Sequence, residues 1–213
     1  MNEKKYKLSF TFGGLLLPET RIIAKEYLKT KNWHWVKAKA LEENILQKTR
    51  NSSRYRYFRE IMYRLKKAYP WEMEILEKEA DQGVYSLVNL VIVGRYYRFV
   101  RDFIVEVIRY KAEGLDFILM DYDYTTFLET KSQFHPELLK LSESTGNKIK
   151  QVIIRMLKEA GVLTIKNGVK TIIKPYSRDI LAARYAERGT IDDMMILLMT
   201  DREINSLRGK YGR

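Results

Sequence analysis

The chain has 213 residues, 46% of them hydrophobic, and carries a formal net charge of +12 from 39 Lys and Arg against 27 Asp and Glu. That length and apolar content allow one large domain or two small ones around a real core, and exclude a disordered chain. Cysteine is absent, which excludes disulfides, thiolate metal sites and a cysteine nucleophile. The positive surplus attracts polyanions, nucleic acid first and an anionic membrane surface second. The start, "MNEKKYKLSFTF", is basic but is followed by no long apolar run or cleavage signal, so a cytoplasmic location is expected.

Pro18 and Glu19 open a first helix, "PETRIIAKEYLKTK", because proline in the first turn leaves no amide unpaired and an acid suits the positive helix end. Asn32 is a cap for a second helix with Val36, Ala40, Leu41 and Ile45 on its apolar face. Ser52 or Ser53 is expected to cap a third, where Tyr55, Phe58, Met62 and Leu65 repeat at helical spacing. Pro70 begins a short fourth helix to about Ala80. Residues 84 to 110 predict one long helix or two abutting ones, ended by Gly114. Their apolar run "LVNLVIV" falls far short of the ~20 residues of a membrane span and reads as a core helix.

Composition then changes. Residues 115 to 141 hold five acids and two bases, a net of −3, and predict a loop and two short helices, 124–134 and 136–141. Residues 142 to 174 hold seven bases and two acids, a net of +5. Here Ser144 or Thr145 starts a strong helix to Ala160, with Ile149, Val152, Ile153, Met156 and Leu157 on the core face and Gly161 as its left-handed stop. Two short strands, 162–165 and 171–174, flank Asn167-Gly168, a tight-hairpin signal. Ser177 is placed to cap a helix to about Glu187. Residues 191 to 199 form a last apolar segment, and the basic tail "RGKYGR" is expected to fray.

The predicted fold class is therefore mainly α: an N-terminal helical bundle (1–114), then a winged helix-turn-helix-like module with one hairpin at about 162–174 and C-terminal helices (115–213). Two short helices, a longer basic helix and a hairpin occur in that order. On the wheel of the basic helix, Asn147, Gln151, Ile154 and Lys158 lie opposite the core stripe, flanked by Lys148, Lys150 and Arg155. Such side chains read base edges or hold phosphates. The candidate DNA-binding set is Thr145, Asn147, Lys148, Lys150, Gln151, Arg155 and Lys158, with Lys166, Asn167 and Lys170 of the hairpin.

A second basic cluster lies in "QKTRNSSRYRYFREIMYRLKK", with eight bases and one acid between Lys48 and Lys67 and tyrosines interleaved. It adds Arg50, Arg54, Arg56 and Arg59 as candidates, against the plainer reading of a charged face over core tyrosines. Gly13-Gly14 lacks the Gly-Lys-Ser/Thr of a nucleotide loop and reads as a turn. His135 before Pro136 reads as a turn residue and His34, between two tryptophans, as packing, with no metal-ligand spacing at either. Asp121, Asp123 and Glu129 lack the partners a metal nuclease needs, and Asp123 reads as a helix cap. No catalytic residue, metal or cofactor is expected.

Four stretches, "YKLSFTFGGLLLPET", "ALEENILQKTRNSSRYRYFREI", "RYYRFVRDFIVEVIR" and "FHPELLKLSESTGNKIKQVIIRMLKEAGVL", run in the same order as in a known family. Over residues 6 to about 163 the sequence resembles the BrxA proteins of BREX (bacteriophage exclusion) phage-defence systems. The resemblance implies a small, helical, cytoplasmic protein that binds double-stranded DNA, has no known enzymatic activity and serves beside other BREX proteins. The alternative is an adaptor subunit of the same system, using its aromatic content and the apolar segment "IDDMMILLM".

Overall fold

A computed structural model describes residues 5–188 and 190–211. The fold is mainly α-helical, and among the described residues the only sheet is one short antiparallel hairpin. Helix α1 (Leu17–Thr30) carries Pro18 in its first turn, and α2 (Trp33–Leu41) is capped by Asn32, whose side chain accepts from the backbone N–H groups of His34 and Trp35. Helix α3 (Asn51–Leu65) starts earlier than expected: Arg50 holds the cap position and neither Ser52 nor Ser53 caps it. In α4 (Pro70–Lys78) the Glu72 side chain closes the first turn on the Tyr69 amide at 2.7 Å.

Helix α5 (Gln82–Tyr96) is buried at every position from Val84 to Gly94, so it has no solvent face to betray a period. It packs against α3, α4 and, further along the chain, four more helices. The chain breaks at Tyr97 and resumes as α6 (Arg98–Phe103), a π-helical turn (Ile104–Arg109) and α7 (Tyr110–Glu113). Then follow α8 (Asp121–Ser132), α9 (Pro136–Leu139), α10 (Glu143–Glu159), β1 (Leu163–Lys166), β2 (Val169–Ile172), α11 (Arg178–Glu187), α12 (Ile191–Ile196) and α13 (Asp201–Tyr211). No described helix is long and apolar enough to cross a membrane.

A buried polar cluster ties α4 and α5 to α11 and α12. Fully buried Glu72 pairs with Arg95 and accepts from the Tyr185 hydroxyl at 2.6 Å, while Arg95 also donates to Asp193 at 2.7 Å. Burial holds the Asp193 carboxyl above its ordinary range and raises the Tyr185 phenol. Such a cluster survives in a core only because each charge faces a partner. Arg109, in the π-helical turn, reaches the Met199 carbonyl and Asp201, both at 2.6 Å, and so anchors the start of α13.

Three expectations are corrected. The segment "IDDMMILLM" is no contact surface: Met194, Ile196, Leu197, Leu198 and Met199 are core. The basic tail stays helical through Tyr211, because Ile204, Leu207 and Tyr211 pack inward; its last two residues lie outside the described ones. Of the Trp33–His34–Trp35 trio only Trp33 packs, stacked on Tyr27 at 4.1 Å, while His34 and Trp35 are exposed.

Candidate nucleic-acid interface

Helix α10 begins at Ser142, whose hydroxyl accepts from the Thr145 amide at 3.3 Å. Its apolar stripe, Ile149, Val152, Ile153, Met156 and Leu157, is buried. The opposite face presents Asn147, Lys148, Gln151, Arg155 and Lys158 to solvent, with Thr145 and Lys150 half-buried at its edge. No carboxylate pairs with Lys148, Arg155 or Lys158 among the described residues. At the far end Glu159 turns away from this face and accepts from the Leu15 amide at 2.6 Å; a Cβ on Gly14 would run into its carboxylate.

Gly161, at φ +72, stops the helix, and open space around it shows that backbone conformation alone requires glycine there. The strands pair Leu163 with Ile172 and Lys166 with Val169, leaving Asn167 (φ 49) and Gly168 (φ 79) as a two-residue turn. Positive φ at both turn positions matches the twist of the strands, and Asn-Gly tolerates it best. Lys166 and Asn167 are exposed at the tip. Residues 117–119, read from the sequence as loop, pair with β2: Ile172 donates to Phe117 at 2.7 Å and Leu119 to Lys170 at 2.9 Å.

That pairing delivers Asp121 to the two lysines nearest the junction. Its Oδ1 lies 2.8 Å from the Lys150 ammonium and 2.9 Å from that of Lys170. The hydrogen bond from Lys150, then that from Lys170, pulls the Asp121 carboxyl down to about 2. Nothing local in the sequence signals this contact, because it joins residues 29 and 49 positions apart through the tertiary pairing of 117–119. Asp123 does something different. It closes the first turn of α8 on the Met120 amide at 2.7 Å and pairs with Lys111 at 3.2 Å.

The α3 cluster divides by role. Arg54 donates to the backbone carbonyls of Lys48 and Leu41, fixing the α2–α3 connection. Arg64 is buried against Glu60 at 2.8 Å and the Gly14 carbonyl at 2.9 Å. Lys48 pairs with Glu19 at 2.7 Å. Arg50, Arg56 and Arg59 are exposed; Arg56 covers the Phe12 ring at 3.9 Å and Arg59 faces the Tyr55 ring at 5.5 Å. A cavity of about 190 Å³ between α2 and α3 is lined by Trp33, Tyr55, Tyr63, Lys37, Arg59 and Lys66, among others. Among the described residues no three His, Asp or Glu side chains are grouped as metal ligands. His135 is buried on the Tyr6 ring at 4.0 Å with Arg98 at its Nε2.

Fold and surface together define a mainly α-helical protein with one basic helix-and-hairpin face. A family model for BrxA matches residues 4–187, and the chain belongs to the BrxA family. It is 28% identical over 178 residues to a protein named "BREX protein BrxA" from Bacillus cereus (strain H3081.97), covering 82% of this chain and 87% of that one. A second protein of that name, from Escherichia coli O9:H4 (strain HS), is 26% identical over 164 residues and 75% of each chain. The crystal structure of an uncharacterized protein from Magnetospirillum magneticum shares the fold, with a TM-score of 0.75 at 20% identity over 91% of this chain and 98% of that one.

Proposed function

We propose that this chain is a non-catalytic, double-stranded-DNA-binding component of a BREX phage-defence system. The defence setting follows from its family and from the names of its relatives. The observation that carries DNA binding is the outer face of α10. Asn147, Lys148, Gln151, Arg155 and Lys158 are exposed there together, the three cations free of carboxylate partners among the described residues, on a helix whose other face is buried in the core.

In this reading α8, α9, α10 and the hairpin act as a winged helix-turn-helix. Helix α10 enters the major groove, where Asn147 and Gln151 meet base edges and Lys148, Arg155 and Lys158 meet phosphates. Lys166 at the hairpin tip reaches the flanking backbone. Lys150 and Lys170 join by exchanging the Asp121 carboxylate for a phosphate. Arg50, Arg56 and Arg59 extend the positive surface. With few base-reading side chains, specificity is modest and phosphate contacts dominate affinity, so binding weakens steeply with salt. A mobility shift with unrelated duplexes tests this, with single-stranded DNA as control; equal binding of single strands, or none of duplex, overturns it.

A second reading, an adaptor subunit that meets another protein of the same system, has a specific observation in its favour. Tyr110 of α7 and Tyr122 of α8, 74% and 62% exposed, line one cavity of about 410 Å³, and Leu115 in the connection between these helices is 75% exposed. Large apolar side chains this open mark contact surfaces. Co-purification of a partner that survives nuclease and is lost in Tyr110→Ser with Leu115→Ser supports that role.

A further inference from the structure

A cavity of about 330 Å³ opens where the N-terminal segment, the α3–α4 connection and the α5–α6 break meet. Six cationic side chains line it: Lys5, Lys7, Lys67, Arg95, Arg98 and Arg101. Among the described residues the only carboxylates in its wall are Asp192 and Asp193, but Glu72 behind Arg95 and Asp102, 3.6 Å from Arg98, also offset its charge, so six cations against four acids leave a surplus of two.

That surplus sits on the lysines, because each of the three arginines already meets a carboxylate. Asp193 is already engaged by Arg95 at 2.7 Å, and Asp192 meets Arg101 at 3.3 Å. Lys5, Lys7 and Lys67 are exposed and have no carboxylate partner among the described residues. Lys7 rests its ammonium 4.7 Å from the centre of the Tyr96 ring. Arg101 keeps its buried Nε without an acceptor, so the chain itself satisfies that guanidinium incompletely. Lysines spread along a solvated helix face need no explanation. Cations brought to one concavity from distant stretches of the chain do, because like charges in a cleft repel and their field is focused.

The volume falls in the range of small-molecule sites. A ligand there must be rich in acceptors and carry several negative charges, and guanidinium groups favour phosphate oxygens for their fork geometry. We propose that this cavity binds an oligophosphate, free or as the tail of a nucleotide, at a site separate from the α10 face. The proposal stands independently of DNA binding through α10.

Calorimetric titration of the full chain with inorganic triphosphate and with ATP tests it, alongside Lys7→Glu with Lys67→Glu. Both substituted side chains are exposed, so the fold is expected to persist. Both ligands bind the unaltered chain, and the double substitution weakens both about tenfold or more, as loss of charge-assisted contacts does. Tighter binding of ATP assigns a nucleotide, and equal affinity assigns the phosphates alone. Duplex affinity stays within about twofold in the same variant, and triphosphate does not displace duplex from the unaltered protein. Absence of binding by both ligands, unchanged affinity in the variant, or displacement of duplex by triphosphate overturns the proposal.

Discussion

The Asp121 carboxylate lies 2.8 Å from the Lys150 ammonium, which fixes the first residue of α8 to the edge of the basic face of α10. The same oxygen holds Lys170 of β2 at 2.9 Å. A carboxylate that bridges two ammonium groups occupies the place a phosphate oxygen would take. Asp121→Asn removes this competitor and releases both lysines, so duplex affinity at low salt rises severalfold. Fluorescence anisotropy with a labelled duplex measures the change. Weaker binding by the variant would show instead that Asp121 positions the lysines.

The same contact has a pH signature. The Asp121 carboxyl is pulled down to about 2 in the folded chain by its two lysines. A group depressed on folding adds stability above its unfolded value near 3.8 and loses it as pH falls toward 2. The melting temperature of the unaltered chain therefore exceeds that of Asp121→Asn at neutral pH, and the gap closes on acidification through this window. The pair is exposed, so the gap is small. A gap that does not change with pH contradicts the assignment.

Two arginines of one helix are expected to behave differently. Arg54 donates to the carbonyls of Lys48 and Leu41, whereas Arg59 only faces a tyrosine ring at the surface. Arg54→Ala costs about 1–3 kcal/mol by leaving those carbonyls short of a donor. Arg59→Ala stays within about 0.5 kcal/mol. Urea unfolding separates them, and equal losses would mean that Arg54 does not anchor the α2–α3 connection.

Glu72 is fully buried and holds Arg95, Tyr185 and the Tyr69 amide at once. Glu72→Ala leaves Arg95 facing Asp193 alone and destabilises the fold by about 3–5 kcal/mol. Glu72→Gln keeps the shape and one acceptor and costs less. Chemical denaturation of both variants checks the order; a cost below about 1 kcal/mol for the alanine would refute the role given to the cluster.

Helix α10 and the hairpin were legible because three local signals agreed, the apolar stripe, Gly161 at the stop and Asn167-Gly168 in the turn, although the helix starts earlier than expected, capped by Ser142 rather than begun by Ser144 or Thr145. The strands were misplaced by one or two residues, since the turn fixes the register more tightly than strand composition does. Other features left no local trace. The pairing of Phe117 and Leu119 with β2 involves too few residues to show a period. The sequence of residues 84 to 110 allowed one long helix or two abutting ones and did not place the break at Tyr97, which falls between Arg95 and Arg98 just past the run that is buried at every position. The roles of Arg54 and Arg64 depend on carbonyls that the tertiary fold brings near. Charge counting treated every lysine and arginine as available, and the structure instead sorts them into those held by carboxylates or carbonyls and those left to solvent.

The central claim is that the α10 face binds duplex DNA, and one titration addresses it directly. Duplex binding is measured between about 50 and 200 mM salt for the unaltered chain and for Lys148→Glu with Arg155→Glu. Both side chains are exposed and without a carboxylate partner among the described residues, so the substitutions leave the core intact. The predicted result is a Kd that weakens about tenfold or more across that range for the unaltered chain, and a further loss of about tenfold or more in the variant at the lowest salt. Absence of binding at the lowest salt, or a variant that binds as well as the unaltered chain while folded, would contradict it.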